Sequence, residues 1–240
     1  MRGMPQPTAP EHKVIISGTG RAGTTFLVRL LTELGLETGI NRKNWHKKFY
    51  PHCNAGLEHN LLDPETPYIV KNPALCDTLP AALATGRFVI DHVYVPIREL
   101  ETAAASRVRL GGEHGSVPGG LIGTADPAHQ RAVLAEYFHK LIHVLVVHEI
   151  PHTFILFPRM VTDSGYTYDR LSYLMKGISR PDFEGVFNRI ADRSLVHDFS
   201  AEAKPAQAAE PAAPLADAAA QGRFSGLLGV MNSLRPKKAV

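Results

Sequence analysis

The most constraining feature of the chain is an abrupt change of hydrophobic period at residues 14–36. Val14-Ile15-Ile16-Ser17 is a short, β-branched apolar run and reads as a buried strand. Gly18-Thr19-Gly20-Arg21-Ala22-Gly23-Thr24-Thr25 follows as a glycine-rich turn. Apolar residues at 26, 27, 30, 31 and 34 then recur with a helical period, and Gly35 supplies a stop. A strand, a glycine-rich turn and a helix in direct succession is the context in which phosphate-binding loops occur.

The rest of the chain repeats the alternation. Residues 66–71, 87–98 and 152–157 read as strands. Residues 79–86, 99–110, 127–150, 167–178 and 183–192 read as helices. The expected fold is α/β, three-layered, with a mostly parallel central sheet. Residues 1–12 read as a flexible arm and 13–200 as one domain. Residues 37–64 are polar and irregular and are expected to cover a site. Residues 111–120 read as a mobile loop. Residues 201–240 form an Ala/Pro-rich tail with too few large apolar residues for a core. Its end, 223–238, carries a small apolar patch with basic residues. A docked tail helix and a frayed terminus both fit, and a homo-oligomer stays open.

Composition excludes several classes. The 240 residues are 44% hydrophobic, enough for one sizeable core. A net charge of +3 permits an anionic ligand without calling for nucleic acid. Cys53 and Cys76 have neither metal nor redox spacing, and no metal site is expected. A reduced, cytoplasmic setting is the simple reading. No apolar run approaches the roughly 18 residues of a membrane span, and the N-terminus lacks the apolar stretch of a signal peptide.

The turn has the chemistry of an anion cradle. Glycines let the backbone approach the ligand, the helix start adds partial positive charge, and Thr24 and Thr25 add hydroxyls. Arg21 adds a fixed charge. The spacing of Gly18, Gly23 and Thr25 matches the NTP-binding loop, but Thr24 stands where that loop has its lysine. Triphosphate chemistry is disfavoured; a nucleotide with a 5′ phosphate fits better.

Gly18–Thr25 resembles the 5′-phosphosulfate loop of sulfotransferases, usually written Pro-[Lys/Arg]-Ser-Gly-Thr-Thr. Gly20 replaces the proline and Ala22 the serine; Arg21, Gly23, Thr24 and Thr25 match. The resemblance implies a P-loop-like sulfotransferase fold. It implies that Gly20, Arg21, Ala22, Gly23, Thr24, Thr25 and Phe26 hold the 5′ end of 3′-phosphoadenosine 5′-phosphosulfate. Residues 93–109 resemble the family's 3′-phosphate element, an apolar strand with Arg98 at its end and Ser106 eight residues later. Here Glu99-Leu100 replaces the usual Asp-Pro. Residues 193–197 resemble the late loop that closes over the nucleotide, which brings Arg193 towards the 3′ phosphate. Residues 54–62 and 70–80 are fainter echoes of the carbohydrate-directed and bacterial branches.

The resemblance implies transfer of a sulfuryl group from this donor to a hydroxyl or amine of a small molecule or glycan, with 3′,5′-adenosine diphosphate as product. Arg21 would stabilise charge. Glu58 is the leading base, because it lies in the polar stretch before the second strand, and His59 is its substitute. Lys71, at a strand end, would assist the leaving group or bind an anionic acceptor. Two alternatives stand beside this reading. One is a nucleotide or small-molecule kinase, with Asp91 as a magnesium ligand, although Asp91 falls mid-strand. The other is a binding protein that retains the pocket without chemistry.

Overall fold

The computed structural model describes residues 9–41, 43–73, 75–114 and 119–196. The chain divides into two units, Met1–Ala203 and Lys204–Val240, and every described residue belongs to the first. The expected tail, 201–240, lies outside the described residues.

In chain order the first elements are β1 (Glu11–Ile16), α1 (Thr24–Glu33) and a single turn, α2 (Trp45–Lys48). Two short strands, β2 (Phe49–Tyr50) and β3 (Ala55–Gly56), form an antiparallel hairpin. Then come β4 (Ile69–Lys71), α3 (Leu75–Ala84), β5 (Phe88–Ile97) and α4 (Leu100–His114). The last elements are α5 (Gln130–Val147), β6 (His152–Leu156), α6 (Arg159–Thr162), α7 (Ser164–Arg170) and α8 (Arg180–Ile190).

The central sheet is parallel throughout, in the order β4-β1-β5-β6. Helices cover both faces. Val14, Ile16, Tyr94 and Ile155 point to the side packed by α1 and α8, where Leu27, Leu30, Leu31, Phe183 and Phe187 are buried. Ile15, Val70, Val93 and Val95 point to the side packed by α3 and α5, against Leu75, Leu79, Leu141 and Leu145. Burying each such side chain is worth about 1.5–3 kcal/mol. The sheet is therefore apolar on both faces, as the continuous apolar strands require.

α1 ends as its sequence dictates. Gly35 takes φ 82°, Leu36 N–H donates to Leu31 O at 3.0 Å, and Gly35 N–H donates to Thr32 O at 3.0 Å. This pair of bonds satisfies the last carbonyls of the helix.

Several boundaries differ from expectation. β1 takes in Glu11 and His12, because Glu11 N–H bonds Arg87 O and its carboxylate pairs with Lys13 and Arg87. α3 begins at Leu75 and carries Pro80 inside it. α4 continues through His114, four residues into the stretch expected as a loop. The helix expected at 167–178 breaks into α7 and a 3₁₀ turn, Ser172–Leu174.

β5 contains one extra residue. Lys13 pairs with Ile90 but Val14 pairs with His92, so Asp91 has no partner and the strand bulges there. The side-chain alternation flips at this point. Phe88 and Ile90 share one face with Val93 and Val95. His12 Nδ1 lies 2.6 Å from one Asp91 oxygen and Tyr68 OH donates to the other at 3.1 Å.

Candidate functional site

In the strand order β4-β1-β5-β6, β1 and β5 are neighbours where the chain path reverses. The crevice beyond the C-terminal ends of such strands is where open α/β sheets bind ligands. The glycine-rich turn leaves β1 there, and Arg98 follows β5 there.

The turn is shaped by close approach. Gly20 has φ 74°, and a Cβ on it would sit 2.4 Å from Arg107 Nη2. Gly23 has φ 80° and is the N-cap of α1; a Cβ there would sit 2.6 Å from Met160 Cε. Arg21 also adopts the left-handed region, φ 57°. α1 starts with no side-chain cap and no acidic residue in its first turn. Its first N–H groups have no intrahelical acceptors, so the helix presents a partial positive charge that nothing on α1 itself neutralises.

Three arginines surround the turn. Arg21 Nε donates to Ser106 Oγ at 3.0 Å and its Nη1 to Cys53 O at 2.6 Å. Arg98 donates to Arg21 O at 3.2 Å and to Thr102 Oγ1 at 3.1 Å, with its guanidinium 5.1 Å from the Phe157 ring centre. Arg107 donates to Thr19 O at 2.5 Å and Gly120 O at 2.6 Å. Its Nε is buried without an acceptor among the described residues. Arg107 is 5% exposed, and burial, with the charge of Arg21 beside it, lowers its pKa to about 10. Burial lowers that of Arg21 as well. Both guanidinium groups are held by neutral acceptors and neither forms an ion pair among the described residues.

Lys71 completes the floor. It is 4% exposed, and its ammonium donates to Thr25 Oγ1 at 2.9 Å, Gly56 O at 2.6 Å and Glu58 Oε1 at 2.9 Å. All three of its protons are thus engaged. Burial lowers its pKa more than Glu58 raises it. Glu58 remains 40% exposed at its side chain and reaches the cavity.

These groups enclose a cavity of about 350 Å³. Gly20, Arg21, Gly23, Thr24, Thr25 and Phe26 line it, as do Glu58, Lys71 and Arg98. Four expected residues stand apart from the wall. Ala22 is fully buried in the core behind the turn. Ser106, 2% exposed, lies behind Arg21 and holds it. His59 packs near Gly39 and Pro67, away from the cavity, and burial lowers its pKa. Arg193 donates to Thr162 O at 3.4 Å on the surface, although Asp192 and Val196 beside it reach the wall.

Two cationic wall residues escaped the sequence reading, Arg29 and Arg107. Arg29 is one turn beyond Thr25 on α1, and Arg107 directly follows Ser106. Both positions were signalled by their neighbours, but a helix arginine is ordinarily solvated. The apolar wall of Phe157, Val161 and Ile190 comes from segments with no motif of their own.

Compared with protein-family models, curated proteins and solved structures, the chain matches none. Among the described residues no His/Cys/Asp/Glu group could hold a metal ion, and no helix is long and apolar enough to cross a membrane.

Proposed function

We propose that this protein is a sulfotransferase. It would move a sulfuryl group from 3′-phosphoadenosine 5′-phosphosulfate to a hydroxyl or amine of a small-molecule or glycan acceptor. The observation that carries the reading is the charge balance of the cavity. Among the described residues, five cationic side chains line the cavity, Arg21, Arg29, Lys71, Arg98 and Arg107, beside two carboxylates, Glu58 and Asp192. Buried cations are costly unless an anion completes them, and the unsatisfied Nε of Arg107 marks the same deficit. A nucleotide with phosphates at both its 3′ and 5′ positions would supply the missing charge. Thr24, Thr25 and the start of α1 would hold the 5′ end, and Arg98 and Arg107 the 3′ phosphate. Phe26, Val161 and Ile190 form an apolar wall that suits a base.

The donor supplies an activated sulfur–oxygen bond. The acceptor atom attacks sulfur in line, the bond to the 5′-phosphate oxygen breaks, and that oxygen leaves with the electron pair. Arg21 and the α1 N–H groups would stabilise the charge on it. Glu58 is the one carboxylate on the Lys71 side of the cavity, and its Oε2 has no partner among the described residues. It would take the acceptor's proton. Lys71 holds the other oxygen and fixes the orientation.

A kinase reading loses its magnesium ligand, since Asp91 is engaged by His12 and Tyr68. The test is thermal stabilisation by 3′,5′-adenosine diphosphate against magnesium-ATP, followed by transfer of labelled sulfate to a panel of acceptors. Stabilisation by magnesium-ATP alone would reject the sulfotransferase. Stabilisation by the bisphosphate without any transfer would leave a binding protein.

A further inference from the structure

The two edges of the central sheet are finished differently. On β4, Ile69 and Lys71 turn their peptide groups away from β1. Ile69 N–H donates to Glu37 O and Lys71 O accepts from His59 N–H, both at 2.9 Å, so neighbouring segments cover that edge. On β6, Val93 N–H donates to Pro151 O and Phe157 N–H to Ile97 O, so the odd-numbered residues face β5. His152, Phe154 and Leu156 therefore turn their peptide groups outward. Leu156 N–H donates to Tyr166 OH at 2.8 Å. The N–H and C=O of His152 and of Phe154 have no hydrogen-bond partner among the described residues.

The side chains along this edge are apolar and exposed. Phe154 and Leu156 are both exposed, and the Phe154 ring lies 6.3 Å from that of Phe138 on α5. Ile142 and the exposed Val146 continue the Phe138 stripe at helical spacing. Sheet edges that stay unpaired are ordinarily blunted by lysine or proline. β6 reads His-Thr-Phe-Ile-Leu and contains neither. The ends of the strand differ in charge. Glu149, just before it, forms no ion pair among the described residues. At the other end Arg159 and Arg170 flank Tyr166, and only Arg159 is paired, with Asp163.

We infer that β6 pairs antiparallel with β6 of a second copy of this chain, about a two-fold axis at Thr153. In this register His152 exchanges both its peptide bonds with the second copy's Phe154, and Phe154 with the second copy's His152. All four unpaired groups are used, and Leu156 keeps its bond to Tyr166. The antiparallel sense also brings Glu149 towards the end where the partner carries the unpaired Arg170. An edge that completes itself in this way fits an identical copy. Because β4 is covered, pairing stops at two chains and does not propagate into a fibre. The inference is independent of the transfer proposed above.

The full chain should sediment as a dimer at micromolar concentration, and amide exchange at Phe154 should slow as the dimer forms. Thr153→Cys should form an intermolecular disulfide about tenfold faster than Leu156→Cys, because opposed Thr153 Cα atoms would lie about 4.5 Å apart whereas Leu156 would face Ile150. The native chain, with Cys53 and Cys76 alone, is the control. Phe154→Pro removes an outward N–H and leaves the β5 ladder whole. That variant should be monomeric with an unchanged far-UV spectrum; if it does not fold, the disulfide comparison decides. A chain that stays monomeric would overturn the inference, and a Phe154 amide protected in that monomer would assign the edge to another segment of the chain. Equal cross-linking of the two cysteine variants, or a folded Phe154→Pro that still dimerises, would place the contact elsewhere. Assembly beyond two chains would overturn the closed pair.

Discussion

Arg21 holds a left-handed backbone conformation at a cost of about 1–2 kcal/mol for a residue with a Cβ. Ser106 and Cys53 hold its guanidinium, so the strain is maintained by contacts from outside the turn. Gly20 shows the converse case, where no side chain fits at all. Gly20→Ala should destabilise the protein by about 1–3 kcal/mol in chemical denaturation. It should also weaken stabilisation by 3′,5′-adenosine diphosphate, because the new Cβ displaces Arg107. His59 carries a different consequence. Burial lowers its pKa below the ordinary 6.5, and its Nδ1 has no partner among the described residues. Between the two values the unfolded chain binds more protons than the folded one, so stability falls as pH drops through that window. His59→Leu should reduce the loss of Tm between neutral pH and about pH 5. A residual slope should remain from His92, which burial also depresses.

At the scale of elements, the β1–turn–α1 unit was legible because strand, glycines and helix each announce themselves by period or residue type. Arg98 was legible because it ends an apolar run. Ser106 was found by its spacing, and the structure shows its hydroxyl accepting from Arg21, a contact that spacing cannot tell from a ligand-facing one. Lys71 and Glu58 were each expected near the site, but their pairing across β3 and β4 is a tertiary fact. That pairing makes a specific prediction. Glu58→Gln should retain nucleotide stabilisation and lower the transfer rate by about 10²-fold or more. Undiminished turnover would remove Glu58 as the base. The break in the expected 167–178 helix was invisible because its apolar period continues through the 3₁₀ turn.

For the whole molecule, the parallel sheet with helices on both faces followed from alternating strands and helices, whereas the order of the strands did not. That order is what brings the end of β1 beside the end of β5. The resulting excess of buried positive charge should be measurable without any nucleotide. Inorganic sulfate should raise Tm saturably, by RT ln(1 + [L]/Kd) in stability, and 3′,5′-adenosine diphosphate should compete with it. A linear, non-saturating rise would indicate only general exclusion from the surface.

The unpaired Asp91 has a consequence beyond its own bonds. A strand is read two residues at a time, and one surplus residue shifts the reading frame of everything after it. Tyr94, Pro96 and Arg98 share the phase that the bulge establishes, and Arg98 reaches Phe157 and Arg21 in that phase. Deleting Asp91 itself would close the bulge, leave His92 opposite Val14 and keep Arg98 in its present phase, whereas deleting Val95, beyond the bulge, would act as a frameshift that carries Glu99 into the place of Arg98. In the second variant a cation at the mouth of the cavity would become an anion, and stabilisation by 3′,5′-adenosine diphosphate should vanish even in the fraction that still folds, while the Asp91 deletion should keep it.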